Sequence, residues 1–234
     1  DGRMEMVRSY QESVKNDEPV VGIATKDGVV LVGSKISLDT LIVSETYVKT
    51  TQLSKHVAAT FVGMNADFRQ LCKWLGKQFY NYKLKNRKEM TLKALAKDLG
   101  EFMQETILLD FIRPYATNVL LGGWTECGDD LYLVDCFGMV TSAQGICLGR
   151  NSQKANTFLQ GAIFKKITLE TAIPIAIQAI RVALNARFLC PFEVCLAVIN
   201  CDGYRNLGND EVQHYLSVFQ TPEDLGLTKS KENQ

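Results

Sequence analysis

The sequence is short of net charge, proline and histidine, and each shortage removes a class of protein. Lys and Arg number 26, Asp and Glu also 26, so the formal charge is zero and the pI about 6.9. Without a basic surplus there is no bulk attraction for nucleic acid or an anionic membrane, and neither is expected as a partner. Five prolines and 17 glycines in 234 residues exclude a disordered, collagenous or low-complexity chain. The two histidines, His56 and His214, and seven cysteines without a Cys-x-x-Cys pair match no zinc module, so neither metal nor cofactor is expected. The odd, scattered cysteines point to a reducing compartment and to buried small hydrophobes. No apolar run approaches the ~18 residues of a membrane span, and Asp1-Gly2-Arg3 does not begin a signal peptide, so a soluble chain is expected.

What is present is an ordinary core-forming composition, 46% hydrophobic, with patterned segments. Met4, Val7 and Val14 fall near helical spacing before Asp17-Glu18-Pro19 ends the segment, which predicts a helix within 1–16. Val20 to Ala24 and Val29 to Val32 are β-branched runs around Asp27-Gly28, a hairpin signal, and Val57 to Val62 reads as a strand covered on both faces. Phe68, Leu71, Cys72, Leu75 and Phe79, then Leu92, Leu95, Ala96, Leu99 and Met103, trace two amphipathic helices. The basic stretch Lys83 to Glu89 between them reads as a solvated connector, since it lacks interleaved aromatics. Strands are expected at Thr117 to Gly122, Asp130 to Val134 and Met139 to Thr141, with Gly128 and Gly138 as turns. A helix follows over Asn151 to Leu159, and another from Leu169 to Leu184, with Thr168 as N-cap and Pro174 as its weak point. Val194 to Ile199, the Asp202-Gly203 turn, a helix through Val212, Tyr215, Leu216 and Phe219, and a polar tail over 220–234 complete the chain. Two strand groups, each followed by a helix pair and with no linker between, predict one domain over 1–234. Its expected form is a four-layer α/β/β/α sandwich, two antiparallel sheets face to face with helices outside.

Three stretches carry a specific resemblance. Asp1-Gly2-Arg3, Val14-Lys15-Asn16, Val21-Gly22-Ile23 and Lys26 to Leu31 form the first, Gly63 to Arg69 the second, and Arg113-Pro114-Tyr115, Leu131-Tyr132 and Asp135-x-x-Gly138 the third. In this order and spacing they resemble the alpha-type subunits of the 20S proteasome over nearly the whole chain. Ser54-Lys55-His56, Leu121 to Trp124 and Asn206 to Leu216 look most like the alpha type-2 branch. The resemblance implies the N-terminal-nucleophile hydrolase fold and a non-catalytic place in a seven-membered alpha ring. It also implies contact with beta-ring subunits, a gated substrate entrance, docking of activators or a regulatory particle, and protein degradation in cytoplasm and nucleus. A zero net charge, which does little to keep copies apart, is compatible with such an assembly.

Catalysis in the beta-type relatives uses an N-terminal threonine whose amine serves as base for its own hydroxyl. Aligned by the Asp-Gly hairpin, Glu18 takes the nucleophile position and Ser34 that of the assisting Asp, and no Gly-Thr dipeptide offers a release point. No catalytic residue is therefore expected, against two alternatives: a beta-type threonine peptidase, and a cysteine hydrolase using His56 or His214. The resemblance further implies an activator-tail pocket with Lys49 binding the terminal carboxylate and Met4, Gly63 and Met64 on its wall. Such a charge-assisted contact is worth ~1.5–3 kcal/mol. The same carry-over links Tyr10 and Ser9 to gating, although Arg8-Ser9 replaces the family's Glu-Tyr. Two further departures are Asp17 for the usual glycine at the pocket turn and Cys136 for a proline.

Overall fold

The computed structural model describes residues 2–35, 47–109, 112–125, 128–162, 167–186 and 189–218. Helix α1 (Gly2–Asn16) leads into a hairpin of β1 (Val20–Ala24) and β2 (Val29–Ser34). Strands β3 (Thr50–Ser54) and β4 (Val57–Gly63) follow, then helices α2 (Asn65–Asn86) and α3 (Leu92–Leu108). Next come β5 (Thr117–Thr125), β6 (Gly128–Val134), β7 (Val140–Ser142) and β8 (Gly145–Leu148). Helices α4 (Ser152–Ala162) and α5 (Leu169–Leu184), strands β9 (Val194–Asn200) and β10 (Gly203–Asn206), and helix α6 (Asn209–Val218) close the described chain. No described helix is long and apolar enough to cross a membrane.

Among the described residues the strands form two five-stranded antiparallel sheets, ordered β10-β9-β2-β1-β8 and β3-β4-β5-β6-β7. Val29, Leu31 and Ile199 of the first sheet meet Ala58, Leu120 and Leu131 of the second in a dry central layer. The outer face of the first sheet, including Val21, Val30 and Leu196, packs on Ala176, Ile180 and Leu159 of α5 and α4. The outer face of the second, including Ala59, Phe61 and Leu121, packs on Phe68, Leu71, Leu95 and Leu99 of α2 and α3. The four predicted layers are present, because each sheet is apolar on both faces and each of these helices on one.

The sheets nevertheless do not follow the two strand groups of the sequence. Each draws on both: β9 lies beside β2, and β5 beside β4, so the halves of the chain are interleaved. Strands β3 and β8 lie outside the sequence expectations. Each is a short edge of its sheet: β3 is mostly polar, and β8 is only four residues long and opens on a glycine, too short a run to show a period. At β8 the Asn156 side chain completes the edge, accepting from the Cys147 N–H at 2.7 Å and donating to the Cys147 carbonyl at 3.0 Å.

Two local expectations, the connector and the Gly128 turn, are corrected, and two, Thr168 as N-cap and Pro174 within the helix, hold with added detail. The Lys83 to Glu89 connector is in large part helix, because α2 continues to Asn86 and stops where Arg87 turns left-handed at φ 53°. Gly128 lies in β6, paired with Thr125, not in a turn. Thr168 caps α5 by backbone shape alone, its hydroxyl meeting that of Thr171 at 3.1 Å. Pro174 sits in the second turn of α5 without ending it, at the cost of the bond its nitrogen would make to the Glu170 carbonyl. Phe219 and the 220–234 tail lie outside the described residues.

Candidate functional site

The passage from α1 into β1 carries Asp17, Glu18 and Pro19, and around it the fold gathers residues that are far apart in sequence. Val14 anchors the end of α1 against Val20 and Val62. Asp17 then receives two donors on one oxygen: Lys49 Nζ at 2.7 Å and the Gly63 N–H at 2.7 Å. Its carbonyl accepts from the Arg150 N–H at 2.9 Å. The next carboxylate, Glu18, is tied to Arg150 Nη2 at 2.7 Å and accepts from the Ser34 hydroxyl at 3.1 Å.

The positions matched to the nucleophile and its assisting acid are therefore neighbours, held as a carboxylate–hydroxyl hydrogen bond. Glu18 has no hydroxyl, and its nitrogen belongs to the unbroken passage between helix and strand. What the arrangement can do is hold charge in place.

Lys49 lies immediately before β3 with its side chain fully buried, 0% exposed, which excludes an ordinary surface lysine at a strand end. Its ammonium stands 4.6 Å above the ring of Phe61, and Phe61 stacks on Phe68 at 4.2 Å. Its carbonyl accepts from the Thr60 hydroxyl at 2.9 Å. Gly33, on the facing strand β2, leaves room for the lysine stem, since a Cβ there would lie 2.9 Å from Lys49 Cβ. Burial lowers the Lys49 pKa, and the carboxylate of Asp17 opposes that shift by favouring the ammonium. Tyr47 nearby is raised, first by burial and then by Asp17 and Glu18.

Gly63 and Met64 do adjoin this pair: Gly63 through its N–H to Asp17, and Met64 as the N-cap of α2, 43% exposed, with its own N–H on the Ala116 carbonyl at 2.9 Å. Met4 lies on α1, with its side chain outside the described part. Tyr10 and Ser9 sit elsewhere on α1. Ser9 is exposed, and the half-buried Tyr10 ring faces the Arg113 guanidinium at 5.9 Å.

Arg113 in turn binds Asp67, a nearly buried acid in the first turn of α2, through both terminal guanidinium nitrogens, Nη1 and Nη2. Asp67 also accepts from the Ala116 N–H at 2.8 Å. The hydrogen bonding to Asp67 first, and then to Tyr10, raises the Arg113 pKa above its ordinary value against an opposing effect of burial. This clamp and the Glu18–Arg150 pair were not legible as partnerships. Gly63 to Arg69 and Arg113-Pro114-Tyr115 stand out as separate stretches, and nothing along the chain joins them.

A family model for the proteasome subunit matches residues 14–199. The chain belongs to that family. Among its relatives is a proteasome subunit alpha type-2 of Caenorhabditis elegans, 28% identical over 93% of this chain and 94% of the relative. A proteasome subunit beta 1 of Thermococcus sibiricus is 31% identical over 84% of this chain and 93% of the relative. A proteasome subunit alpha of Pyrococcus abyssi is 26% identical over 99% of this chain and 89% of the relative. The two-sheet architecture agrees with that membership. Since alpha and beta relatives match at similar identity, the distinction between them falls to individual residues.

The cysteines of this proteasome subunit divide by environment. Burial pushes the thiols of Cys72 and Cys147 up to about 12 and that of Cys136 up to about 11, while Cys190 and Cys201 are exposed. Among the described residues His56 is engaged by other groups: its Nδ1 lies 3.2 Å from the Asn200 carbonyl and its ring 5.4 Å from that of Trp124. At pH 8, iodoacetamide is expected to modify Cys190 and Cys201 and to spare Cys72, Cys136 and Cys147 until the chain unfolds, since only thiolates react. Peptide mapping checks this, and early modification of Cys147 would contradict it.

Proposed function

We propose that this chain is a non-catalytic, alpha-type subunit of the proteasome core particle, seated in a seven-membered ring against a beta ring and working in protein degradation in cytoplasm and nucleus. The observation that carries the reading is Glu18. At the position matched to the catalytic threonine stands a carboxylate tied to Arg150 and Ser34, within a continuous passage from α1 to β1. A nucleophile there would need a hydroxyl and a free amine, whereas the nitrogen of Glu18 is the peptide nitrogen that joins it to Asp17, just after α1, whose end Val14 anchors against Val20 and Val62. The subunit then acts by contact, through ring interfaces that for a permanent assembly exceed ~1,000 Å². It also contributes to the gated entrance and to activator docking.

Within that reading, Lys49 is the carboxylate receptor for activator tails, with Gly63, Met64 and Met4 around it. The convergence of a buried ammonium and a backbone N–H on one oxygen supports this role. Tyr10 and Ser9 are the gating candidates on α1.

Two measurements test the reading together. Native mass spectrometry of the purified complex is expected to find the 26.1 kDa chain inside a large barrel. An epoxyketone probe is expected to label other subunits and leave this chain unmodified. A probe adduct on this chain, or a free monomer with peptidase activity, would overturn it.

A further inference from the structure

We propose that Asp17 is a built-in occupant of the Lys49 site, so that an incoming C-terminal carboxylate binds this subunit only by displacing it. The inference rests on the reading of Lys49 as a docking lysine and adds how that site is regulated.

The geometry supplies each step. A carboxylate receptor needs donors converging on one place, and here the Lys49 ammonium and the Gly63 N–H both reach Asp17 Oδ2 at 2.7 Å. The ammonium has no exposure of its own, and Asp17 is the member of the pair that meets solvent, at 15%. Beneath the ammonium lies the Phe61 ring. Near the pair, Val48 and Met64 present exposed apolar side chains, at 47% and 43%, of the kind that would receive the last side chains of a peptide. The receptor is thus complete, and the chain's own carboxylate fills it.

A tethered competitor of this kind acts at an effective concentration of about millimolar or above, so an outside carboxylate begins at a disadvantage. Asp17 is also held from behind, because its carbonyl accepts the Arg150 N–H and its neighbour Glu18 is bound to the Arg150 guanidinium. Removing the Asp17 side chain leaves a buried ammonium without its hydrogen-bonded carboxylate, with Glu18, itself paired to Arg150, acting on it only through space, which raises the gain from any carboxylate that enters. Two chemically similar acids competing for one cation give a definite signature. The preference for a free terminal carboxylate over the amide is small in the native chain and large once Asp17 is neutralised.

The test uses the assembled particle and a fluorescent octapeptide with apolar residues near its end, prepared with a free C-terminal carboxylate and as the C-terminal amide. Asp17→Ala is expected to tighten binding of the acid at least tenfold and of the amide less than twofold. Asp17→Asn, which keeps the shape of the side chain, is expected to give a smaller gain of the same kind and covers the case in which the alanine variant does not fold. Adding Lys49→Met is expected to cancel the gain. Equal gains for acid and amide, or no gain in either folded variant, overturn the proposal. If Lys49→Met then still weakens the acid in the native background, the docking role of Lys49 stands and only the occupancy by Asp17 falls. If Lys49→Met changes neither peptide in any background, the docking reading itself has failed, and the proposal with it.

Discussion

Gly63→Ala is expected to lower the thermal midpoint of the chain by about 10 °C, the result of about 3–5 kcal/mol of strain and overpacking. Gly63 ends β4 opposite Thr117 and has φ +112°, a conformation side-chain-bearing residues rarely adopt. A Cβ there would lie 2.3 Å from the Ala116 carbonyl oxygen and 3.0 Å from Thr117 Cα. Both obstacles are main-chain atoms at the entry to the neighbouring strand β5, so no rotamer change relieves them. The strand end would have to move, and with it the N–H that binds Asp17 and the start of α2. Gly76→Ala is the control. Inside α2, with nothing within 4 Å of an added Cβ, it is expected to stabilise the chain by about 0.5–1 kcal/mol through helix propensity. Equal midpoints for Gly63→Ala and the native chain in calorimetry would refute the argument.

Asp67→Ala is the second large effect, with an expected loss of about 2–4 kcal/mol in urea unfolding at unchanged slope. The Asp67 side chain is 4% exposed, while Arg113 is 47% exposed. The guanidinium can therefore turn to water when its partner is removed, and the larger part of the loss comes from the other end. The Ala116 N–H, 2.8 Å from the carboxylate, is left buried without an acceptor. Asp67→Asn keeps an oxygen for that N–H and removes the charge, so a loss of about half as much is expected. A loss under about 0.5 kcal/mol for the alanine variant would mean that another acceptor replaces the carboxylate. The clamp joins the first turn of α2 to the chain entering β5, and through Arg113 to Tyr10, so it also sets the orientation of α1 beside the Lys49 pair.

Elements with a strong period were readable in advance. The β1–β2 hairpin around Asp27-Gly28, the apolar strand β4 and the faces of α2, α3 and α5 all lie where their sequence patterns put them. Their burial depends on residues within one segment, which is why spacing alone reveals them. Strands β3 and β8 are not legible in advance because an edge strand has only one hydrogen-bonded neighbour, and here one is polar and half-exposed and the other only four residues long. The extent of α2 escaped because Lys83 and Lys85 are solvated equally well by a helix or a loop. At the site, the resemblance alone points to Lys49, and it marks Asp17 only as a departure from the family pattern. That the departure is the lysine's partner depends on a contact spanning 32 positions.

By itself, then, the order of residues determined the layer architecture, the family, and the absence of a hydroxyl at position 18. Each of these follows from side-chain type and local spacing, which act before the chain is folded. Only the tertiary structure decided which strands lie side by side, and that Asp17, Lys49 and Gly63 meet at one oxygen. The physical reason is that a buried ammonium cannot be left without a counter-charge, and which carboxylate supplies it depends on how the elements pack.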